Sequence, residues 1–158
     1  MSNVLIGIIG VILFIGLALA GALFLGPRFQ EATNNSKASA QVQAMQQVIA
    51  AANMYEVTNG RSDLALDVSV DATSPLVTGG FLKSVPSDAS GRNATFVITR
   101  RSGMDYVHIG LQSKAVCEAV QRQLDPSATT YDAGIVTTKM GGCYGSGTEN
   151  QFLLYLRK

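Results

Sequence analysis

The chain has 158 residues with 12 Lys and Arg against 11 Asp and Glu, a net charge of +1 and a pI near 7.8, so no polyelectrolyte surface for nucleic acid or anionic lipid is implied by charge. The absence of Trp and the 7% aromatic content argue against a carbohydrate-stacking or ligand-cage surface. The two cysteines include no CxxC and no Cys/His cluster, which excludes the usual zinc patterns.

Met1 to Pro27 contains no charged side chain, and the first ionic residue is Arg28. At about 1.5 Å per residue a helix over this run spans roughly 40 Å, enough for a hydrocarbon core of about 30 Å. Only Ser2 and Asn3 precede Val4, whereas a signal peptide or signal-anchor opens on basic residues. Small residues recur along the run, with pairs four apart at Gly16/Ala20, Ala18/Ala22 and Ala22/Gly26. Such spacing lets helices approach closely. Gly16, Gly21 and Gly26, followed by Pro27, mark a segment of low helix propensity that can stretch or melt outside lipid.

From 28 to 59 the pattern becomes amphipathic. Val42, Met45, Ile49 and Ala52, widened by Val48 and Tyr55, form one stripe, and Gln41, Gln43, Gln46, Gln47 and Asn53 form the opposite face. Asn59-Gly60 supplies the stop. The expected organisation is residues 1–27 as an apolar helix, 28–59 as its amphipathic continuation with a weak point near Gly26-Pro27, and 60–158 as a globular head.

Arg61 to Asp88 reads as a connecting loop with a short helical or extended piece at Asp63 to Val70, fastened to the core by Leu76, Val77, Phe81, Leu82 and Val85. Thr95 to Arg100 and Asp105 to Leu111 read as an antiparallel hairpin around the turn Arg101 to Met104, with Val107, Ile109 and Leu111 inward and Tyr106 and His108 outward. A helix follows from its N-cap Ser113 to Asp125-Pro126, with Val116, Cys117, Val120 and Leu124 inside. After a loose Ser127 to Tyr131 come a strand at Gly134 to Lys139, glycine turns at Gly141-Gly142 and Gly145 to Gly147, and a last apolar strand, Gln151 to Arg157, expected inside the sheet. The fold class is α+β: a long N-terminal helix on an antiparallel sheet.

Chemistry-bearing patterns are sparse. His108 is the single histidine and builds no triad; Gly145-Ser146-Gly147 lacks the strand-to-helix elbow of a hydrolase; Gly79-Gly80 and Gly141-Gly142 lack the setting of a phosphate cradle. Asp63 and Asp67 are a solvated pair at helical spacing, and Asn34 and Asn93 head chance glycosylation triplets. No cofactor, metal site or enzymatic activity is expected. Cys117 and Cys143 fit one disulfide, the alternative being two reduced buried thiols; bonded, they close a loop of about 25 residues, worth roughly 3.5 kcal/mol in the chain-entropy model.

The charge-free helix from the first residue, its amphipathic continuation to Asn59, the loop ending GGFLKSVPSD, the antiparallel strands and the disulfide-closed segment together resemble a bacterial type IV pilin, most closely a type IVb major pilin. The resemblance implies a leader removed by a membrane peptidase, with Met1 as a mature and commonly methylated N-terminus. It implies residence in the inner membrane, extraction by the pilus assembly machinery, and a homo-oligomeric helical filament outside the cell. Val4, Leu5, Ile8, Ile9, Ile12, Leu13 and Leu17 would then build the filament core, with adhesion, aggregation or mating contact as its roles. The family usually carries Glu where this chain has Leu5, so docking would rest on Ser2 and Asn3 or on small-residue packing. A minor pilin or secretion pseudopilin, and a monomeric membrane-tethered binding domain, are the alternatives.

Overall fold

A computed structural model describes residues 2–60, 64, 66–87, 95–127, 138–146 and 151–158. The chain forms two compact units, Met1–Asn34 and Asn35–Lys158. One helix, α1 (Ser2–Asn59), contributes to both, so its last 25 residues belong to the head. It runs unbroken through Pro27, although a proline offers no N–H to the carbonyl one turn before it. Gly60, at φ 99°, ends it, donating its N–H to the Glu56 carbonyl at 2.9 Å.

In the second unit α1 meets a five-stranded antiparallel sheet built from β1 (Val68–Val70), β2 (Phe96–Arg101), β3 (Met104–Gln112), β4 (Gly141–Ser146) and β5 (Gln151–Arg157) in the order β1-β2-β3-β5-β4. Two further helices, α2 (Pro75–Thr78) and α3 (Lys114–Leu124), complete it. The fold is the expected α+β arrangement. Alternation along the strands sends Phe96, Ile98, Val107, Ile109, Leu154 and Leu156 into one core. Ala38, Met45, Val48 and Ala52 of α1 and Val116, Cys117 and Val120 of α3 join the same core. Gln123 ties the two helices together, its Nε2 donating to the Asn35 carbonyl and to Ser39 Oγ at 3.4 and 3.2 Å. β5 lies between β3 and β4, so the apolar last strand sits inside the sheet as its composition predicts.

Ser113 caps α3, its hydroxyl accepting from the Val116 N–H, and Asp125 ends it. Leu76 and Leu82 are buried, and Val77, Phe81 and Val85 pack beside them, fastening the segment before β2. Tyr55 of α1 meets the Phe81 ring edge-on at 5.4 Å.

Five expectations are corrected. The 61–88 segment holds the extended piece expected before Val70, as β1 paired with β2, but its remainder is not simply a loop, because α2 forms at Pro75 behind Ser74. The hairpin turn is only Ser102-Gly103, both at positive φ (51° and 76°), which matches the twist of the flanking strands better than a four-residue turn. Gln41 is buried, not outward, because the true stripe is Ala38, Gln41, Met45, Val48 and Ala52, whose alanines carry little weight in a hydrophobicity count. Tyr106 points away from the helices yet is buried, edge-on to Tyr155 at 6.1 Å. Gly141-Gly142 is strand, not turn, with Gly141 opposite Leu156 in β5. The predicted strand at 134–139 lies outside the described residues except for Thr138 and Lys139, which are not in a strand. Asp63, Asn93 and Leu111's side chain also lie outside the described residues.

Gly141 shows why a strand takes glycine here. A Cβ would stand 2.8 Å from both Leu156 Cδ1 and the Tyr155 carbonyl oxygen, and 3.0 Å from Leu124 Cδ1. Backbone cannot yield as a side-chain tip can, so Gly141→Ala is expected to lower stability by about 1–3 kcal/mol. A urea midpoint unchanged by the substitution would refute this account.

Candidate functional site

The first unit presents an unusual surface. The predicted core positions Val4, Leu5, Ile8, Ile9, Ile12, Leu13 and Leu17 are 49% to 74% exposed. Ile6, Val11, Phe14, Ile15, Leu19, Leu23, Leu25 and Phe29 are exposed with them. Successive helix residues step by about 100°, so these side chains cover every side of the cylinder. Its most apolar 18-residue stretch has a mean hydropathy of 2.8, and by length and composition the helix can cross a membrane. Fully covering a Val, Leu, Ile or Phe side chain contributes about 1.5–3 kcal/mol, so the seven core positions together represent roughly 10–20 kcal/mol. Gly7, Gly10, Gly16, Gly21 and Gly26 have open space where a Cβ would point. The first turn carries no acidic residue. Charge begins with the exposed pair Arg28–Glu31 at 3.7 Å. Met1 lies outside the described residues, so its processing and methylation have no structural counterpart.

In the head, Cys117 and Cys143 are bonded, with their Cα atoms 5.8 Å apart and a sequence separation of 26. The bond joins α3 to the edge strand β4, and both cysteines are fully buried. Gln121, one turn beyond Cys117, adds a second tie: its Oε1 accepts from the Cys143 N–H at 2.8 Å.

A charge network closes one end of the core, and local sequence signals do not announce it. Arg100 grips Asp105 with two bonds, Nε to Oδ1 at 2.6 Å and a terminal nitrogen to Oδ2 at 3.1 Å. Lys158 Nζ stands 2.5 Å from Glu56 Oε1 and 3.8 Å from Asp105 Oδ2. Arg100 and Asp105 face each other across the β2–β3 ladder, while Glu56 comes from the last turn of α1 and Lys158 follows β5.

His108 is half-buried on the sheet face away from the helices, opposite Val97 and Tyr155. Its Nδ1 has no hydrogen-bond partner among the described residues. Burial pulls its pKa below the usual 6.5, Asp67 raises it, and Arg101 lowers it further. The unfolded chain therefore binds more protons just below pH 6.5, so stability falls as the pH drops from 6.5 toward the folded pKa. Thermal melts between pH 7.5 and 5 should show this slope for the native chain and a shallower one for His108→Gln; equal slopes would remove His108 as its source.

Among the described residues no group of three or more His, Cys, Asp or Glu is placed to hold a metal ion. Comparison of the chain with protein-family models, curated proteins and solved structures gives no match, so its function follows from the helix and the head alone.

Proposed function

We propose that this chain is a structural subunit of an extracellular helical filament of the type IV pilus kind. Its N-terminal helix is held in the inner membrane until the assembly machinery transfers it, with other copies, into a filament core. The observation that carries this reading is the helix surface from Val4 to Leu25, apolar on all sides and continuous with a separately folded, disulfide-bonded head. A helix apolar all round needs either lipid or many neighbours, and a subunit that moves from one to the other uses the same surface twice. Adhesion, aggregation or mating contact would then be carried by the outward heads.

Electron microscopy of material sheared from the surface of cells making the chain, with quantification of the chain in it, tests the reading. Filaments composed mainly of this chain are expected. Monomers alone would overturn it in favour of a membrane-tethered binding domain. The lack of an acidic residue in the first turn, with Leu5 at the family's usual acidic position, favours one variation, a minor subunit or pseudopilin. Filaments containing only occasional copies would select that variation.

A further inference from the structure

β1 is a free edge of the sheet, since β2 alone pairs with it among the described strands. The Ile98 carbonyl of β2 turns toward β1 and accepts the Asp67 N–H at 2.7 Å, so the ladder bonds fall where Val68 faces Ile98 and Val70 faces Phe96. Alternation then directs the Ser69 N–H and C=O outward, to the open edge. Beside that edge lies a cavity of about 570 Å³, bordered by Ser69, Val70, Val77, Lys83, Val85 and Pro86. Its volume falls within the roughly 300–1,000 Å³ of small-ligand sites. A smaller cavity of about 190 Å³, walled by Leu64, Leu76 and Ile98, shares Ser69, Val70 and Asp71 with it. The larger cavity carries one charge of each sign. Lys83 makes no hydrogen bond or ion pair among the described residues. Asp71 accepts the Thr73 hydroxyl at 2.7 Å and the Thr73 N–H at 2.8 Å, both on Oδ1. These bonds hold its pKa below the usual carboxylate range, so it is ionised at neutral pH, with Oδ2 left as an acceptor.

We propose that this cavity binds a short free peptide of apolar residues, extended against β1, with its backbone on Ser69, its carboxylate on Lys83 and its amine on Asp71. Its side chains lie on Val70, Val77, Val85 and Pro86. An apolar floor that carries both a cation and an anion complements a ligand that is apolar in the middle and charged oppositely at its ends. A fatty acid or a phosphate could use Lys83, but it meets the Asp71 carboxylate as a like charge. The edge itself sets the ligand's length. β1 has three residues, an extent of about 10 Å. Asp67, at φ 59°, precedes them, and the chain turns after them, the Asp71 carbonyl accepting the Ser74 N–H at 3.1 Å. A long strand from a second copy finds few backbone partners on so short an edge, whereas a peptide of about three residues matches it. The site lies within the Asn35–Lys158 unit and does not depend on whether the chain assembles.

Titration of the full chain in detergent with the tripeptide Val-Ala-Val, followed by amide-resolved NMR, tests this. Saturable shifts centred on Ser69, Val70 and Ala72 are expected, with a dissociation constant of about 0.1–1 mM. Converting the peptide's carboxylate to an amide should weaken binding to the native chain roughly threefold, as an exposed ion pair allows. The same change should make no difference to Lys83→Gln. Acetylating the peptide's amine should act in the same way on the native chain and have no effect on Asp71→Asn. No saturable shift at these residues by about 10 mM peptide would overturn the proposal. Octanoate bound there as tightly as the peptide would overturn it too, since an apolar anion would then suffice. Native-strength binding of both blocked peptides to the native chain would remove Lys83 and Asp71 from recognition and refute the choice of a free peptide.

Discussion

Replacing Cys117 and Cys143 together by alanine is expected to lower the unfolding free energy of the head by about 3–4 kcal/mol. The bond closes a segment of 26 positions, and most of the effect comes from the greater freedom of the unfolded chain once that loop is opened. A domain of this size typically has only about 5–15 kcal/mol in all, so the loss is a large share. In a thermal melt it should read as a drop of roughly 10–15 °C. Since both cysteines are buried in the core, reductant should act on the native protein only as fast as the head opens. Adding dithiothreitol to folded protein is therefore expected to leave the melt unchanged over short times and to shift it once the protein has been cycled through urea. The Gln121 bond to the Cys143 N–H remains in the double variant, so α3 should stay docked on β4 and helix content should persist. A double-alanine variant with an unaltered urea midpoint would mean that the bond contributes no stability.

The parts of this fold that are legible in sequence are those controlled by near neighbours. Ser113 and Asp125-Pro126 bracket α3 because caps and prolines act within one turn. Gln151–Arg157 reads as a strand inside the sheet because its apolar content leaves no exposed alternative. Gly141 was unreadable for the opposite reason: glycine favours turns locally, and the demand for it in β4 comes from Leu156 and Tyr155 in the facing strand. Gln41 follows the same logic, since the helix period that buries Ala38 and Met45 carries it inward whatever its polarity. The charge network is less visible still. Glu56, Arg100, Asp105 and Lys158 are ordinary surface types far apart in sequence, and only the antiparallel pairing of β2, β3 and β5 brings them to one end of the core. The apolar helix, by contrast, is evident from its composition alone.

A lysine in place of Leu13 should abolish filament formation while leaving the head intact. Leu13 lies near the middle of the apolar run and is 62% exposed, within the Met1–Asn34 unit. A charge at the centre of a membrane helix costs about 2.5–3.5 kcal/mol on insertion scales, so some of the chain should fail to insert. In a packed core of helices the same unpaired ammonium meets no water, and its cost is at least comparable. About 3 kcal/mol corresponds to roughly a hundredfold change in the concentration at which subunits assemble. That penalty recurs with every subunit added, so growth should stop instead of slowing. Leu13→Met conserves volume and apolarity and should assemble normally. Sedimentation of sheared surface material measures the filaments, and a urea titration of the purified chain in detergent measures the head, whose midpoint should be the same for all three proteins. Normal filaments from the lysine variant would show that this helix face is not packed in the assembly. Loss of membrane insertion in a chain whose native form yields only monomers would instead leave the helix as a simple anchor.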